Sequence, residues 1–133
     1  RLLAEGRSAL LQPYLGAVDE HGETAMIYID GRFSHAIRKG PLLRPGGELA
    51  QGLFAAEDIQ PREPSRDEGR VAKMAFNAIP GPVPLYARID LLRGADGQPV
   101  VLELELVEPS LFFDQAPGSA QRFVAALFAR RAG

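Results

Sequence analysis

The sequence has no cysteine. That excludes disulfide staples, a thiolate nucleophile and a cysteine-ligated zinc, and leaves the redox compartment unreadable. Charge of one sign is also missing: the net charge is -2, with arginines and acids interspersed along the chain. A nucleic-acid binder would gather a basic excess on one face, so no nucleic-acid partner is expected. No apolar run approaches the roughly 20 residues that a bilayer span needs, so no membrane contact is expected either. The sequence shows no succession of charged, apolar and small-residue regions of the kind expected of a secretory leader. The chain opens on Arg1 rather than Met. It therefore reads as a piece of a longer protein, with the cytoplasm as its default location.

What is present is an ordinary globular profile: 133 residues, 46% apolar and 24% charged. That length suits one domain with one core. Leu2, Leu3, Ala4, Ala9 and Leu10 suggest the last turns of a helix. From Gln12-Pro13-Tyr14-Leu15 the character turns to strand, followed by a polar turn around Asp19 to Gly22 and a strand from Thr24 to Ile29. Asp30-Gly31 then predicts a two-residue hairpin turn into a second strand, Phe33 to Lys39. Residues 40–64, rich in Gly and Pro, read as a long and mobile or functional loop. Ser65-Arg66-Asp67-Glu68 has the form of a capping box opening a helix whose apolar face is Val71, Met74, Ala75 and Phe76. Pro80-Gly81-Pro82 ends it.

A second hairpin is expected from Leu85–Leu92 and Val100–Val107. Ser119 then caps a last helix with Ala120, Phe123, Val124, Leu127 and Phe128 at helical spacing. Two hairpins and two packing helices make an α+β domain built on an antiparallel sheet.

The second hairpin carries the chemistry. With its turn at Asp96-Gly97, Ala95 opposes Gln98, which places Asp90 opposite Glu103 and Arg88 opposite Glu105. Side chains alternate with period two, so these four share one face, and Ala87, Ile89, Leu91, Leu102, Leu104 and Leu106 form an apolar other face. Asp90 facing Glu103 is a like-charge pair, unfavourable by up to about 1 kcal/mol. Arg88 can neutralise Glu105 but leaves the other two acids unmatched. A hard divalent ion such as magnesium, held by one or two carboxylates plus water and phosphate, would resolve the repulsion. A solvated polar sheet face is the competing reading of the same residues.

Ala87-Arg88-Ile89-Asp90-Leu91, then Leu102-Glu103-Leu104-Glu105 and Glu108-Pro109-Ser110, resembles the terminal strands of ATP-grasp enzymes. The likeness is greatest to the glutathione-synthetase-like and O-ureidoserine cyclo-ligase-like branch. It runs over about residues 12 to 131 and makes residues 1–133 the C-terminal subdomain of that fold, with the N-terminal and lid domains preceding Arg1. It implies an ATP- and Mg2+-dependent ligase joining a small-molecule carboxylate to an amine through an acyl phosphate. Asp90, Glu103 and Glu105 match the magnesium ligands, although the last of these is often Asn. Arg88 matches a stabiliser of the transferred phosphate. Gln12, Tyr14 and Leu15 match the hinge that pairs with adenine, Glu23 the acid that reaches ribose, and Arg38 or Lys39 the cation near the phosphates.

Counting back from Asp30-Gly31 places Glu23 opposite Arg38, Ala25 opposite Ala36 and Met26 opposite His35, which favours Arg38 over Lys39. The small Ala25–Ala36 pair would leave room for a flat ligand, although a Glu facing an Arg is also a common structural pair. By the same resemblance Glu108 to Phe113 borders the acceptor site, with Ser110 as a hydrogen-bonding residue. Phe112 and Phe113 read as packing, His21 as solvated and His35 as a partly buried structural residue. Two other readings stay open: a non-catalytic interaction or oligomerisation module of the same fold, and a metal-stabilised domain without nucleotide. Homodimer formation is left open as well.

Overall fold

The computed structural model describes residues 3–9, 11–40 and 58–131. A short 3-10 turn (Leu3–Glu5) and one helical turn, α1 (Val18–His21), precede the first hairpin, β1 (Glu23–Ile29) and β2 (Arg32–Lys39). Then follow β3 (Ile59–Pro61), α2 (Arg66–Asn77), β4 (Tyr86–Arg93), β5 (Pro99–Glu105), a 3-10 turn (Phe113–Gln115) and α3 (Ser119–Arg131). The strands form one five-stranded sheet in the order β3-β2-β1-β4-β5, with every neighbouring pair antiparallel. The expected α+β architecture is present.

Several expectations are corrected in detail. The expected N-terminal helix is only the 3-10 turn, and residues 1, 2 and 10 lie outside the described part. Residues 11–15 join no strand, and the polar segment after them winds into α1. Most of the 40–64 loop, residues 41–57, lies outside the described part, but its end forms the edge strand β3 on β2.

The Asp30-Gly31 turn is as expected, with Ile29 opposite Arg32. Between Ile27 and Tyr28 the register then slips by one, because Ser34 is an extra residue of β2: Tyr28 pairs with Phe33 but Ile27 with His35. An extra residue on one strand shifts every later pair and exchanges the faces of its side chains. Glu23 therefore faces Lys39, not Arg38. Ala25 faces Ile37, and Met26 faces Ala36. Ala36 belongs to the core cluster, so the expected small-residue gap does not exist.

In the second hairpin two shifts cancel. Gly94 N–H donates to Gln98 O and Arg93 pairs with Pro99, one residue tighter than a turn centred on Asp96-Gly97. A bulge at Leu102 restores the count, so Asp90 opposes Glu103 and Arg88 opposes Glu105 as expected. Leu102 itself is turned out of the core and is 41% exposed.

Helix α2 covers one face of the sheet. Its capping box is complete: Ser65 Oγ accepts from Glu68 N–H at 3.2 Å, and Glu68 Oε2 accepts from Ser65 N–H at 2.7 Å. Ala72 and Phe76 pack on Met26, Tyr28, Ala36, Ala87, Ile89 and Leu91, with Tyr28 and Phe76 stacked at 4.9 Å. Met74, expected on that face, is 62% exposed. Helix α3 sits on the opposite face near the first turn, where Phe123 meets Tyr86 and Phe113, and Arg130 Nε donates to Asp30 Oδ1 at 2.8 Å. Its expected apolar face is mostly in solvent, since Val124, Leu127 and Phe128 are exposed.

Candidate functional site

The sheet face opposite α2 collects ionisable groups from four strands' worth of pairing. Ala25 pairs with Asp90 and Ile27 with Arg88, so the alternation that puts Glu23 on this face puts both β4 residues there as well. Lys39 arrives through the bulge. One oxygen from each of Asp90, Glu103 and Glu105 lies within 4.8 Å of the other two. Asp90 is 1% exposed and Arg88 7% exposed.

The network is dense. Arg88 Nε donates to Asp90 Oδ1 at 2.9 Å and Arg88 Nη2 to Asp90 Oδ2 at 2.8 Å, while Nη2 also pairs with Glu105. Lys39 Nζ donates to Asp90 Oδ2 at 3.0 Å and pairs with Glu23. Asp90 is therefore matched by two cations, contrary to the expectation that it stands unmatched. Glu103 takes no cation among the ion pairs of the described residues.

Burial governs the protonation balance. It pushes the Glu23 carboxyl up, and the nearby Asp90 charge adds to this, while Lys39 pulls it back only in part. Glu105 is raised too, by burial first and then by the charges of Glu103 and Asp90, against the lowering by Arg88. For Lys39 burial acts downward, but the carboxylates of Asp90 and Glu23 outweigh it and hold the ammonium above its ordinary value. Arg88 follows the same pattern, with Asp90 and Glu105 as the opposing charges.

The donor set fits a hard divalent cation. All three ligands are carboxylate oxygens and lie within 4.8 Å of one another, close enough for side-chain rotation to gather them around one small oxygen-liganded ion. The formal charge of Glu23, Asp90, Glu103 and Glu105 with Lys39 and Arg88 is -2, which one such ion balances. Because Arg88 and Lys39 already engage Asp90, an incoming ion would share that carboxylate with them.

Other candidates divide by place. Gln12 and Leu15, with Pro13, line a cavity of about 300 Å³ against Leu92, Val100 and Leu102, on the sheet next to the acidic cluster. Tyr14 is absent from that lining, and its hydroxyl donates to Asp19 Oδ1 at 2.6 Å. Arg38 lies on the other face, where its Nε donates to the His21 carbonyl at 2.9 Å and its Nη1 reaches Asp58 at 3.4 Å. The facing of Arg38 and Lys39 is thus the reverse of that expected. Ser110 is exposed, and its backbone carbonyl lies 3.5 Å from Arg88 Nη1. Phe112, read as packing, holds its ring 5.8 Å from the Arg88 guanidinium carbon. His35 is buried, as expected, with Nε2 at 2.8 Å from the Leu111 carbonyl. Nothing in the local sequence marks Phe112 as a neighbour of Arg88 or Leu111 as a partner of His35. Their approach depends on the bulge and on the path of residues 106–112.

This five-stranded antiparallel sheet with its flanking helices has the fold of part of the ATP-grasp ligases. It aligns with the ATP-grasp ligase PsnB in complex with a minimal precursor at a TM-score of 0.51 and 20% identity, covering 80% of this chain and 34% of that one. With D-alanine–D-alanine ligase from Bacillus anthracis, complexed with ATP, the TM-score is 0.51 at 19% identity, over 83% of this chain and 38% of that one.

More specifically, the chain is a homologue of the cycloserine biosynthesis protein DcsG of Streptomyces lavendulae. It is 44% identical to that protein over 135 aligned residues, covering 98% of this chain and 44% of DcsG. The crystal structure of D-cycloserine synthetase DcsG superposes at a TM-score of 0.77 with 40% identity, over 90% of this chain and 41% of that one. The chain thus spans less than half the length of these relatives. No protein-family model matches it.

Proposed function

We propose that this chain is the nucleotide- and magnesium-binding portion of an ATP-dependent ligase that joins a carboxylate to an amine through an acyl phosphate. The observation that carries the reading is the convergence of Asp90, Glu103 and Glu105 beside Arg88 and Lys39 on one sheet face. Homology to a D-cycloserine synthetase supports it. Asp90, Glu103 and Glu105 would hold the metal, which when bound with ATP offsets charge on the phosphates. Phosphoryl transfer depends on positioning and electrostatics more than on covalent help from the protein, so fixed cations are the relevant equipment.

Arg88 is suited to that work. Asp90 and Glu105 lock its guanidinium in place, so little reorganisation remains at the moment of reaction. Lys39 presents its ammonium from the adjacent strand on the same face and takes the phosphate-facing role in preference to Arg38. Gln12 and Leu15 form one wall of the neighbouring cavity, which would take the flat adenine, while Tyr14 lies outside that lining and would act through the hinge backbone. Glu23, at the start of β1, would reach the ribose, and Ser110, whose carbonyl lies beside Arg88, would meet the acceptor substrate.

Titration calorimetry of this chain with magnesium and a non-hydrolysable ATP analogue tests the reading. Binding should require the metal and disappear in Asp90→Asn combined with Glu103→Gln. Equal heats from wild type and double variant would sink it.

A further inference from the structure

Ser34, the extra residue of the β2 bulge, puts His35 on the same sheet face as Lys39 and Arg88. The ring is 8% exposed, and both its nitrogens have partners. Nε2 lies 2.8 Å from the Leu111 carbonyl, which can only accept, so Nε2 carries the proton. Nδ1 is then the acceptor for the Ser34 hydroxyl at 2.9 Å. Arg122 of α3 donates to the same Ser34 Oγ from Nε at 3.2 Å and from Nη2 at 3.0 Å. A guanidinium has no acceptor, so for the neutral ring the bonds run from Arg122 to Ser34, from Ser34 to His35 and from His35 to Leu111.

The segment at the end of this relay has no regular structure and two non-glycine residues in the left-handed region, Glu108 at φ 50° and Phe112 at φ 49°. Such conformations persist only where the surroundings over-determine them. The same segment covers Arg88, with the Ser110 carbonyl 3.5 Å from Nη1 and the Phe112 ring 5.8 Å from the guanidinium carbon. Leu111, the residue tethered by His35, lies between these two contacts.

We propose that His35 is a positioning residue: through its bond to Leu111, and braced by Ser34 and Arg122, it holds residues 108–112 over Arg88 and so sets the surroundings of Arg88 and the orientation of Ser110. The functional meaning rests on the ligase reading of Arg88, whereas the tether itself does not. A merely space-filling histidine would be replaced without loss by Leu. A tether requires a donor where Nε2 stands, which the Gln amide supplies and Leu does not.

The test compares wild type, His35→Gln, His35→Leu and Ser34→Ala in the full 133-residue chain. Backbone order parameters at Leu111 and Phe112, the Arg88 Nε–H resonance and calorimetric affinity for magnesium plus a non-hydrolysable ATP analogue are measured. Wild type and His35→Gln should show order parameters of about 0.85 at the two amides, falling below about 0.6 in His35→Leu. The Arg88 resonance should move in His35→Leu and not in His35→Gln, with affinity in His35→Leu weakened about fivefold, as expected for one lost hydrogen bond. Unchanged order parameters and Arg88 signal in His35→Leu would overturn the proposal, as would His35→Gln behaving like His35→Leu.

Should His35→Leu fail to fold, Ser34→Ala decides. It keeps the ring but removes its brace, and order parameters at Leu111 unchanged from wild type would reject the relay. A wild-type chain that does not bind the analogue defeats the ligase reading, while the order parameters and the Arg88 signal still judge the tether.

Discussion

Lys39 stands between two carboxylates, Glu23 and Asp90, with its side chain 14% exposed and that of Asp90 1% exposed. Removing Lys39 leaves Asp90 with Arg88 but deprives Glu23 of its cation, and breaking a buried pair in this way costs about 3 kcal/mol or more. We predict a loss of that size for Lys39→Met in urea unfolding, partly recovered by millimolar magnesium if the carboxylates then hold the ion instead. Equal losses with and without magnesium would contradict the cation-sharing picture.

His35 allows a second residue-level prediction. Burial pushes its pKa below the ordinary value of 6.5, and the Leu111 carbonyl offsets this only in part. The unfolded chain therefore binds the proton more readily than the folded one. The stability that this histidine contributes is present above pH 6.5 and is lost as pH falls from there toward the folded value. Stability measured between pH 7.5 and 5.5 should slope less steeply in His35→Gln than in wild type. Parallel slopes would show that the titration lies elsewhere.

At the scale of elements, the start of α2 joins the fold through one carboxylate. Glu68 completes the capping box, accepts from Thr24 Oγ1 at 3.0 Å, and pairs with Arg62 at 3.2 Å and Arg93 at 3.3 Å. Burial alone would raise its pKa, but bonds from Ser65 and Thr24 and the Arg62 charge hold it below the ordinary 4.5. Ser65→Ala removes a cap and should cost about 1 kcal/mol. Glu68→Ala also takes the acceptor from Thr24 and the ion pair from two arginines, so about 2–4 kcal/mol is expected for it by chemical denaturation, with similar losses for the two variants counting against this account.

The bulges are the other decisive feature at this scale. A capping box and an Asp-Gly turn are local patterns with local causes, and both were legible in the sequence. A single extra residue such as Ser34 or Leu102 has no such signature, because its location follows from what each side chain packs against across the sheet. That is why counting outward from the turn reverses the facing of Arg38 and Lys39, whereas two cancelling shifts leave Asp90 opposite Glu103.

Across the whole molecule, one sheet face is closed by α2 and the other is shared between α3 and the acidic cluster. Helix α3 turns Val124, 47% exposed, and Phe128, 61% exposed, to solvent. Replacing both with Gln should change unfolding stability by no more than about 0.5 kcal/mol, since little burial is lost. It should also reduce any concentration-dependent association seen by sedimentation, because exposed apolar stripes promote contacts between molecules. A loss of several kcal/mol would mean that these side chains pack within the fold.

The α+β class, the two hairpins, the capped helix and the segregation of Asp90, Glu103, Glu105 and Arg88 from an apolar face were determined by the sequence alone. Period-two alternation, turn chemistry and capping act over a few residues and need no partner. Only the tertiary structure decided that Lys39 rather than Arg38 joins Glu23 and Asp90, that Leu102 leaves the core, that His35 meets Leu111 and that Phe112 approaches Arg88. Those outcomes depend on where strands admit an extra residue and how a loop returns over the sheet. Both are set by packing between segments far apart in the chain.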